Sequence, residues 1–395
     1  MAATDTLVVV HSGADERTGL RRPPAVPLGE LLDALAPADV VATHPLQPFD
    51  ARNFTAPLSF DRAELAGARA AAGPRVAPPP FLPAPLPRPA PGTVLLDELV
   101  TFVEHPAKGF LTQRVGLSMY AGDEAPAEAL PVAPDGLAKW AIGHRLLGDR
   151  IAGRALDHCR QAEWRRGDLP PGALGDRLLA DVLEDVEPLV AAAAEYRVGE
   201  ATDQDVDVEL PDGTRVVGTI GGLYGHTALR VEYSRLTPKQ RVRSWVRLVA
   251  LTAASDEPWR AVTVGRGERF GIARAIVGPV PPDVARTVLA DLVALRAAGL
   301  GAPLPLTTVT GYNYTRVRRG GAGPGEAMAE AARAWTNGAG GERADPSHEQ
   351  VWGRAAPASV LSDEVGPPGG EPTRFGTLAL GLWSPLLQVE DVVRR

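Results

Sequence analysis

Lysine is nearly missing from this chain. Of its 41 basic residues only Lys108, Lys139 and Lys239 are lysines; the other 38 are arginines. The residues two places before them are Pro106, Leu137 and Thr237, so no Asp/Glu-x-Lys triplet occurs, and none of the three follows a glycine, so there is no Gly-Lys-Ser/Thr phosphate loop. Lysine-dependent metal nucleases and self-sufficient P-loop ATPases are both disfavoured. A GC-rich genome accounts for the bias towards arginine, but the missing triplets count whatever its cause. One cysteine, Cys159, excludes an intramolecular disulfide framework and a cysteine-rich zinc site, which fits a reducing cytoplasm. No apolar run approaches the ~18 residues of a membrane span. The N-terminus lacks the cationic start and long apolar stretch of a signal peptide. The seven histidines, at 11, 44, 105, 144, 158, 226 and 348, show no His-x₃-His spacing, and no metal site is expected from them. No Gly-x-Ser-x-Gly elbow appears, so a serine hydrolase is unsupported. The net charge of −7 argues against a protein that coats nucleic acid uniformly; a DNA contact must come from a local basic patch.

What is present is an uneven chain whose 395 residues suggest roughly two to three domains. Thr6–His11 reads as a short buried strand, and Pro27–Ala36 as an amphipathic helix with Leu28, Leu31, Leu32 and Leu35 on one side. His44–Phe49 is proline-set and extended, and Asp61 caps a helix through Ala72. Pro74 to Gly92 holds nine prolines, too many for a helix or a central strand. It reads as a stiff surface spacer and a domain boundary. Beyond it, helices are expected at Val94–Glu104, Lys108–Leu117, Asp135–Gly153, Ala155–Trp164 and Leu174–Tyr196. Strands at Ala261–Val264 and Ile272–Val277 follow, with helices at Pro282–Leu300, Gly325–Trp335 and Phe375–Gln388. Helices on either side of a small strand set indicate an α/β or α+β fold.

The segment 214–247 reads as strand (Arg215–Ile220), glycine turn, strand (Ala228–Tyr233) and helix (Pro238–Ala253). A metal-dependent nuclease of this outline carries acids on both strands and a lysine two residues past the second acid. Here the first strand ends in Gly221-Gly222, and the second reads Val231-Glu232-Tyr233-Ser234. One acid remains and a serine stands in place of the lysine. Magnesium needs several carboxylate oxygens, so one glutamate is a poor site. Glu232 reads more readily as an exposed or ion-paired residue near Arg215 or Arg230.

Two clusters are candidates for DNA contact. Arg235, Lys239, Arg243 and Arg247 include a helical stripe at i, i+4, i+8, suited to tracking phosphates or, alternatively, to pairing with acidic neighbours. Tyr312, Tyr314, Arg316 and Arg318 place aromatics beside cations, as base stacking requires; the alternative is a tyrosine pair packed internally. Trp164-Arg165-Arg166 reads as a helix C-terminus with cations facing its dipole.

Several strings resemble the C-terminal part of the gamma subunit of exodeoxyribonuclease V, the RecC family. They are VVVHSGADER at Val8–Arg17, HPLQPFDARNF at His44–Phe54, LDELVTFVEHPAKGFLTQRVGL at Leu96–Leu117, GDLPPG at Gly167–Gly172 and GLGAPLPL ending at Leu306. The likeness runs over essentially the whole chain, which would be the C-terminal third of such a subunit. It implies a remnant of a helicase-like domain at 1–73, a linker at 74–92 and a nuclease-like domain at 93–395. That domain would have a restriction-endonuclease-like PD-(D/E)xK core, inactivated, with Gly221 at the metal-binding acid and Glu232 and Ser234 at the acid-x-lysine pair. Gln240 lies too early for the glutamine of the following helix, and Trp245 holds its aromatic position.

The resemblance further implies a non-catalytic, DNA-handling and scaffolding role in the cytoplasmic RecBCD helicase–nuclease, which processes double-strand ends. The implied partners are a RecB-like beta subunit and a RecD-like alpha subunit, along with DNA ends and separated single strands. ATP and Mg²⁺ would be used by the partner subunits, with no cofactor in this chain and no membrane contact. Two other readings remain open: a stand-alone metal-dependent nuclease drawing on Glu232, Asp205 or Asp207, and an inactive truncated product.

Overall fold

A computed structural model of the chain describes residues 5–15, 17–35, 40–47, 49–55, 61–74, 80–118, 134–267, 271–337 and 341–394. Ala36, Pro48 and residues 75–79 of the proline-rich stretch lie outside them. The chain divides into two compact units, Met1–Pro79 and Pro80–Arg395.

The first unit has two helices. Helix α1 (Val26–Leu35) turns Leu28, Leu31 and Leu32 to its half-buried side and leaves Leu35 exposed. Helix α2 (Arg62–Ala72) starts at Asp61, whose carboxylate accepts the backbone N–H groups of Ala63 and Glu64. Between them Asp50 caps a short 3-10 turn, Ala51–Phe54, by accepting the N–H of Arg52. The strand expected at Thr6–His11 does not form. Val8 and Val10 are 77% and 90% exposed, with no ladder partner among the described residues.

The second unit is built on a mixed sheet of seven strands with helices on both faces. The chain enters through β1 (Thr93–Leu95), α3 (Leu96–Glu104) and α4 (Pro106–Gly109), the last running into a π-helical turn, Phe110–Val115. The helix expected from Val94 therefore starts two residues later, because Val94 and Leu95 pair in parallel with a later strand. Three helices follow: α5 (Gly136–Ile151), α6 (Leu156–Arg166) and α7 (Ala173–Ala194). Gly167, left-handed at φ 82°, ends α6 just after Arg165 and Arg166.

Next come β2 (Thr202–Glu209), β3 (Arg215–Tyr224), β4 (Thr227–Arg235), α8 (Pro238–Ser255), β5 (Arg260–Arg266) and β6 (Ile272–Val277). Then follow α9 (Pro282–Gly301), α10 (Thr308–Arg319), α11 (Pro324–Thr336), α12 (Pro346–Trp352), α13 (Arg374–Val389) and β7 (Glu390–Arg394). The strand order is β1-β3-β4-β5-β6-β7, with β2 antiparallel to β3. Neither β2 nor β7 was expected: β2 alternates only in its second half, where Val206 and Val208 are buried between exposed acids, and β7 alternates little.

One face of the sheet packs on α5 and α7 through Leu229, Tyr233, Val262 and Val264. The other packs on α3 and α8, and α9, α10 and α13 extend the same core. Helix α8 is the centre of that layer: Val242, Trp245, Val246, Val249 and Leu251 are at most 1% exposed. Pro238 suits its first position, where no N–H is needed. Gln240, too early for a catalytic role, instead accepts the backbone N–H of Thr237 at 3.0 Å and fixes the helix start. β5, with Ala261–Gly265 all buried, is covered on both faces, as a continuous apolar strand requires.

The proline-rich residues 80–91 lie along the second unit without helix or strand. Leu86 donates its N–H to Gly301 at 2.7 Å, the Pro87 carbonyl accepts from Arg114, and the Phe81 ring meets Phe110 edge-on. No helix among the described residues is long and apolar enough to cross a membrane.

Candidate functional site: a cleft between two strands

The first strand does not end at Gly221-Gly222, and the glycine turn expected between the two strands comes later. β3 runs on through both glycines to Tyr224, and the reversal is made by Gly225 and His226. Gly222 sits at φ +75°, and a Cβ there would come within 3.0 Å of the Leu229 carbonyl. Only glycine takes that backbone easily. β3 and β4 pair just beside the turn, at Leu223↔Ala228 and Tyr224↔Thr227, and then part. β1 takes up the same side of β3 only at Arg215–Val217. The opening between β3 and β4 is a cavity of about 140 Å³ whose lining includes Asp97, Gly221, Ala228, Arg230, Ser244 and Arg247.

Glu232 is buried, and its Oε1 accepts from Arg230 Nη2 at 3.1 Å and from Arg243 Nη1 at 3.2 Å. Arg243 also grips both oxygens of Glu104 on α3, and Arg247 Nη2 donates to Asp97 at 2.7 Å. Glu232 is thus ion-paired rather than exposed, with Arg230 and Arg243 as partners; Arg215 pairs with Asp207 instead. The stripe Arg243–Arg247 is thus engaged with α3 and β4. Burial and the neighbouring Arg230 and Arg243 guanidiniums hold the Arg247 pKa below the usual arginine value, although Asp97 pulls it the other way. Arg235 is exposed and Lys239 half-buried; neither forms an ion pair among the described residues.

Ser234 does not join Glu232. A register shift between Val231 and Arg235 turns it to the α5 side, where its Oγ accepts from Trp140 Nε1 at 2.8 Å. At Gly221 a Cβ would come within 2.7 Å of Asp203 Oδ1, so an acid there would meet a second carboxylate unless the exposed Asp203 side chain turned away. Asp205 accepts from Thr219 Oγ1 and Asp207 pairs with Arg215, while their neighbours Val206 and Val208 point into the α8 core. The alternation of β2 therefore puts Asp205 and Asp207 on the sheet face away from Glu232. The three acids named for a migrated nuclease site do not converge.

The tyrosine–arginine segment is helical, on α10. Tyr314 is 1% exposed and donates its hydroxyl to Glu371 at 2.5 Å, and Arg318 donates to the same carboxylate. Tyr312 lies between the Trp383 ring and the Arg241 guanidinium, 4.5 Å from its ring centre. Arg316 is half exposed, with only a 3.5 Å contact to Glu330.

The histidines hold a surprise for the sequence reading. His105, His348 and Asp345 meet: His105 Nε2 lies 3.1 Å from Asp345 Oδ1, and the two imidazole rings are 4.5 Å apart. Their separation in the chain hid this. The geometry is that of a clamp between α4 and α12. His105 Nδ1 accepts the Lys108 N–H, which leaves the ring proton on Nε2 for Asp345. A metal at Nε2 would need that proton moved to Nδ1, against the Lys108 donor. Burial, aided by His105, pushes the His348 pKa down to about 4, keeping that ring neutral.

Comparison with known proteins places this architecture. The family model described as RecC C-terminal domain matches residues 91–319. The RecBCD enzyme subunit RecC of Mycobacterium tuberculosis is 41% identical over 418 aligned positions, which take in 99% of this chain and 37% of that subunit. The same-named subunit of Mycolicibacterium smegmatis is 39% identical, covering 100% of the chain and 38% of its own length. That of Escherichia coli is 24% identical over 56% of the chain and 19% of its length. The chain thus spans little more than a third of the mycobacterial relatives it matches. With over half its length inside the matched model, it belongs to the RecC C-terminal domain family.

Proposed function

We propose that this chain is the non-catalytic, DNA-handling and scaffolding portion of a RecBCD-type helicase–nuclease, acting on double-strand DNA ends in the bacterial cytoplasm. Residues 93–395 are read as a restriction-endonuclease-like PD-(D/E)xK core kept for its shape, preceded by a helicase-like remnant at 1–73 and a linker at 74–92. A RecB-like beta subunit would cut and a RecD-like alpha subunit would unwind, using ATP and Mg²⁺ that this chain does not itself bind. The observation that carries the reading is the character of the cleft beside Gly221: guanidinium groups of Arg230 and Arg247 line it, with no cluster of carboxylates. A hard divalent cation needs several anionic oxygens and is repelled by such a lining. DNA contact is proposed for Arg235, Lys239 and Arg316, the members of the two clusters with no strong internal partner. Arg243, Tyr314 and Arg318 are held by Glu104, Glu232 and Glu371, and Tyr312 by packing; they support the surface from beneath.

The test is to incubate the purified chain with linear duplex DNA and Mg²⁺, alone and with the two partner subunits. No cleavage by the chain alone and stable association with the partners are expected. Metal-dependent degradation that disappears in Glu232→Ala would establish the stand-alone nuclease instead.

A further inference from the structure

The cleft between β3 and β4 has a second property, independent of what it lacks. Two of the arginines lining it carry buried donors with no acceptor among the described residues: Arg230 Nε and Arg247 Nη1. Each guanidinium is oriented by its other nitrogen, Arg230 by Glu232 at 3.1 Å and Arg247 by Asp97 at 2.7 Å. Their positions are therefore fixed while one N–H on each is uncommitted. An unpaired buried donor on a charged group is costly, on the order of 1–3 kcal/mol or more, and needs a partner. Water is the ordinary one, but two cations facing one small cavity favour an anion.

The remaining lining suits the same occupant. Ser244 Oγ lies 2.5 Å from Thr263 Oγ1, and when Thr263 donates, the Ser244 proton is free to point elsewhere. The register Arg230↔Thr263 places this hydroxyl pair beside Arg230 on the neighbouring strand. The cavity of about 140 Å³ is several times the ~30 Å³ share of one water. That is room for a single tetrahedral group with some hydration. Asp97 opposes an anion, but its side chain is 84% exposed and strongly screened by solvent. Glu232 is shared by Arg230 and Arg243, so it offsets neither fully.

The geometry points to a seat for a phosphate-class oxyanion in the β3–β4 cleft, held by Arg230 and Arg247 with Ser244 as a neutral donor. The group is either free inorganic phosphate or one backbone phosphate of a nucleic-acid strand. The seat stands apart from the DNA-handling role, because a chain with no affinity for oligonucleotides would still take up free phosphate.

The experiment is calorimetric titration of the 395-residue chain with inorganic phosphate in low-salt buffer, with chloride at matched ionic strength as control. Saturable phosphate binding is expected, with no matching chloride response. Arg230→Gln and Arg247→Gln should each weaken it by about tenfold or more, the loss of one charge-assisted hydrogen bond. Arg230 is the more exposed of the two, so its variant decides the matter if Arg247→Gln fails to fold. A second arm titrates a short single-stranded oligonucleotide with and without phosphate. Competition by phosphate, with a parallel loss in Arg230→Gln, identifies a strand phosphate as the source. Oligonucleotide binding unchanged by the substitution, with phosphate binding lost, identifies the free ion. Absence of saturable phosphate binding, or binding equally strong in Arg230→Gln, overturns the seat.

Discussion

The two arginine-rich segments look alike in sequence and differ in what the fold does with them. On α10, Arg318 is fully engaged by Glu371, together with Tyr314, and Arg319 reaches the carbonyls of Ser384 and Leu387. On β4 and α8, Arg241 is sealed against Glu390, while Arg230 and Arg247 keep a donor each beside a cleft. Charge density along the chain does not say which cations are available. Availability depends on how many carboxylates the neighbouring elements bring, and that is a tertiary property. The lesson applies to any basic run read as a nucleic-acid surface.

The largest effect that would test this contrast comes from Arg241, the fully internal member of the α8 segment. Burial alone would lower its pKa, but Glu390 outweighs it and the guanidinium stays charged. Arg241→Ala leaves Glu390 buried without a partner and should cost about 3–5 kcal/mol in denaturant unfolding. A loss below 1 kcal/mol would mean the pair is hydrated and the segment more open than described.

Glu371 is the corresponding hub on the α10 side. Glu371→Ala leaves the buried Tyr314 hydroxyl and Arg318 unpaired, at about 2–3 kcal/mol. Burial tends to raise the Glu371 pKa, but hydrogen bonds from Tyr314 and Arg318 more than compensate and lower it. A carboxylate held low in the fold contributes stability above its unfolded pKa and loses it as pH falls through the folded value. The wild type should therefore lose stability on acidification more steeply than Glu371→Ala, a difference that a series of melts across acid pH would reveal.

Gly221→Asp asks whether the cleft can be turned back towards a metal site. The added carboxylate meets only the exposed Asp203 side chain, which can turn away, so a destabilisation of no more than about 1 kcal/mol is expected. Mg²⁺-dependent cleavage should remain absent; cleavage gained by this one change would show that the arginine lining is no barrier. The smallest stability effects belong to Arg235→Ala and Arg316→Ala, within about 0.5 kcal/mol. Their readout is DNA affinity, where each should lower the salt slope by about one if it contacts a phosphate.

Much of the secondary structure was legible because its signals are local. Ile272–Val277 is a short, largely apolar run, α8 and α9 open on proline, and Asp61 and Asp135 announce their helices. The α/β class followed from that order of elements. The failures have a common cause. Thr6–His11 has the composition of a strand but no ladder partner among the described residues, and β2 has partners but alternates apolar with polar only over its second half, Val206–Glu209. Pairing, which composition does not encode, decided both. At the site, Gly221 and Glu232 were found by reading against a nuclease pattern. The donors of Arg230 and Arg247 were not, because which donors are left without an acceptor depends on the carboxylates that the folded elements bring near. The His105–Asp345–His348 clamp was invisible for a similar reason: α4 and α12 meet only in the folded chain.

That parting also sets how the sheet shares its cohesion. β1, β2 and β3 form one half, joined by a long antiparallel ladder from Thr202 to Glu209, and β4 to β7 form the other. Between them run only two rungs beside the Gly225–His226 turn, so the halves are held together mainly by the helices laid across them. α8, packed against β2, β3 and β5 alike, is the beam that spans the seam. A load applied to one half of the sheet reaches the other through side-chain packing rather than through the backbone ladder. The arginines of the cleft stand where that transmission is weakest.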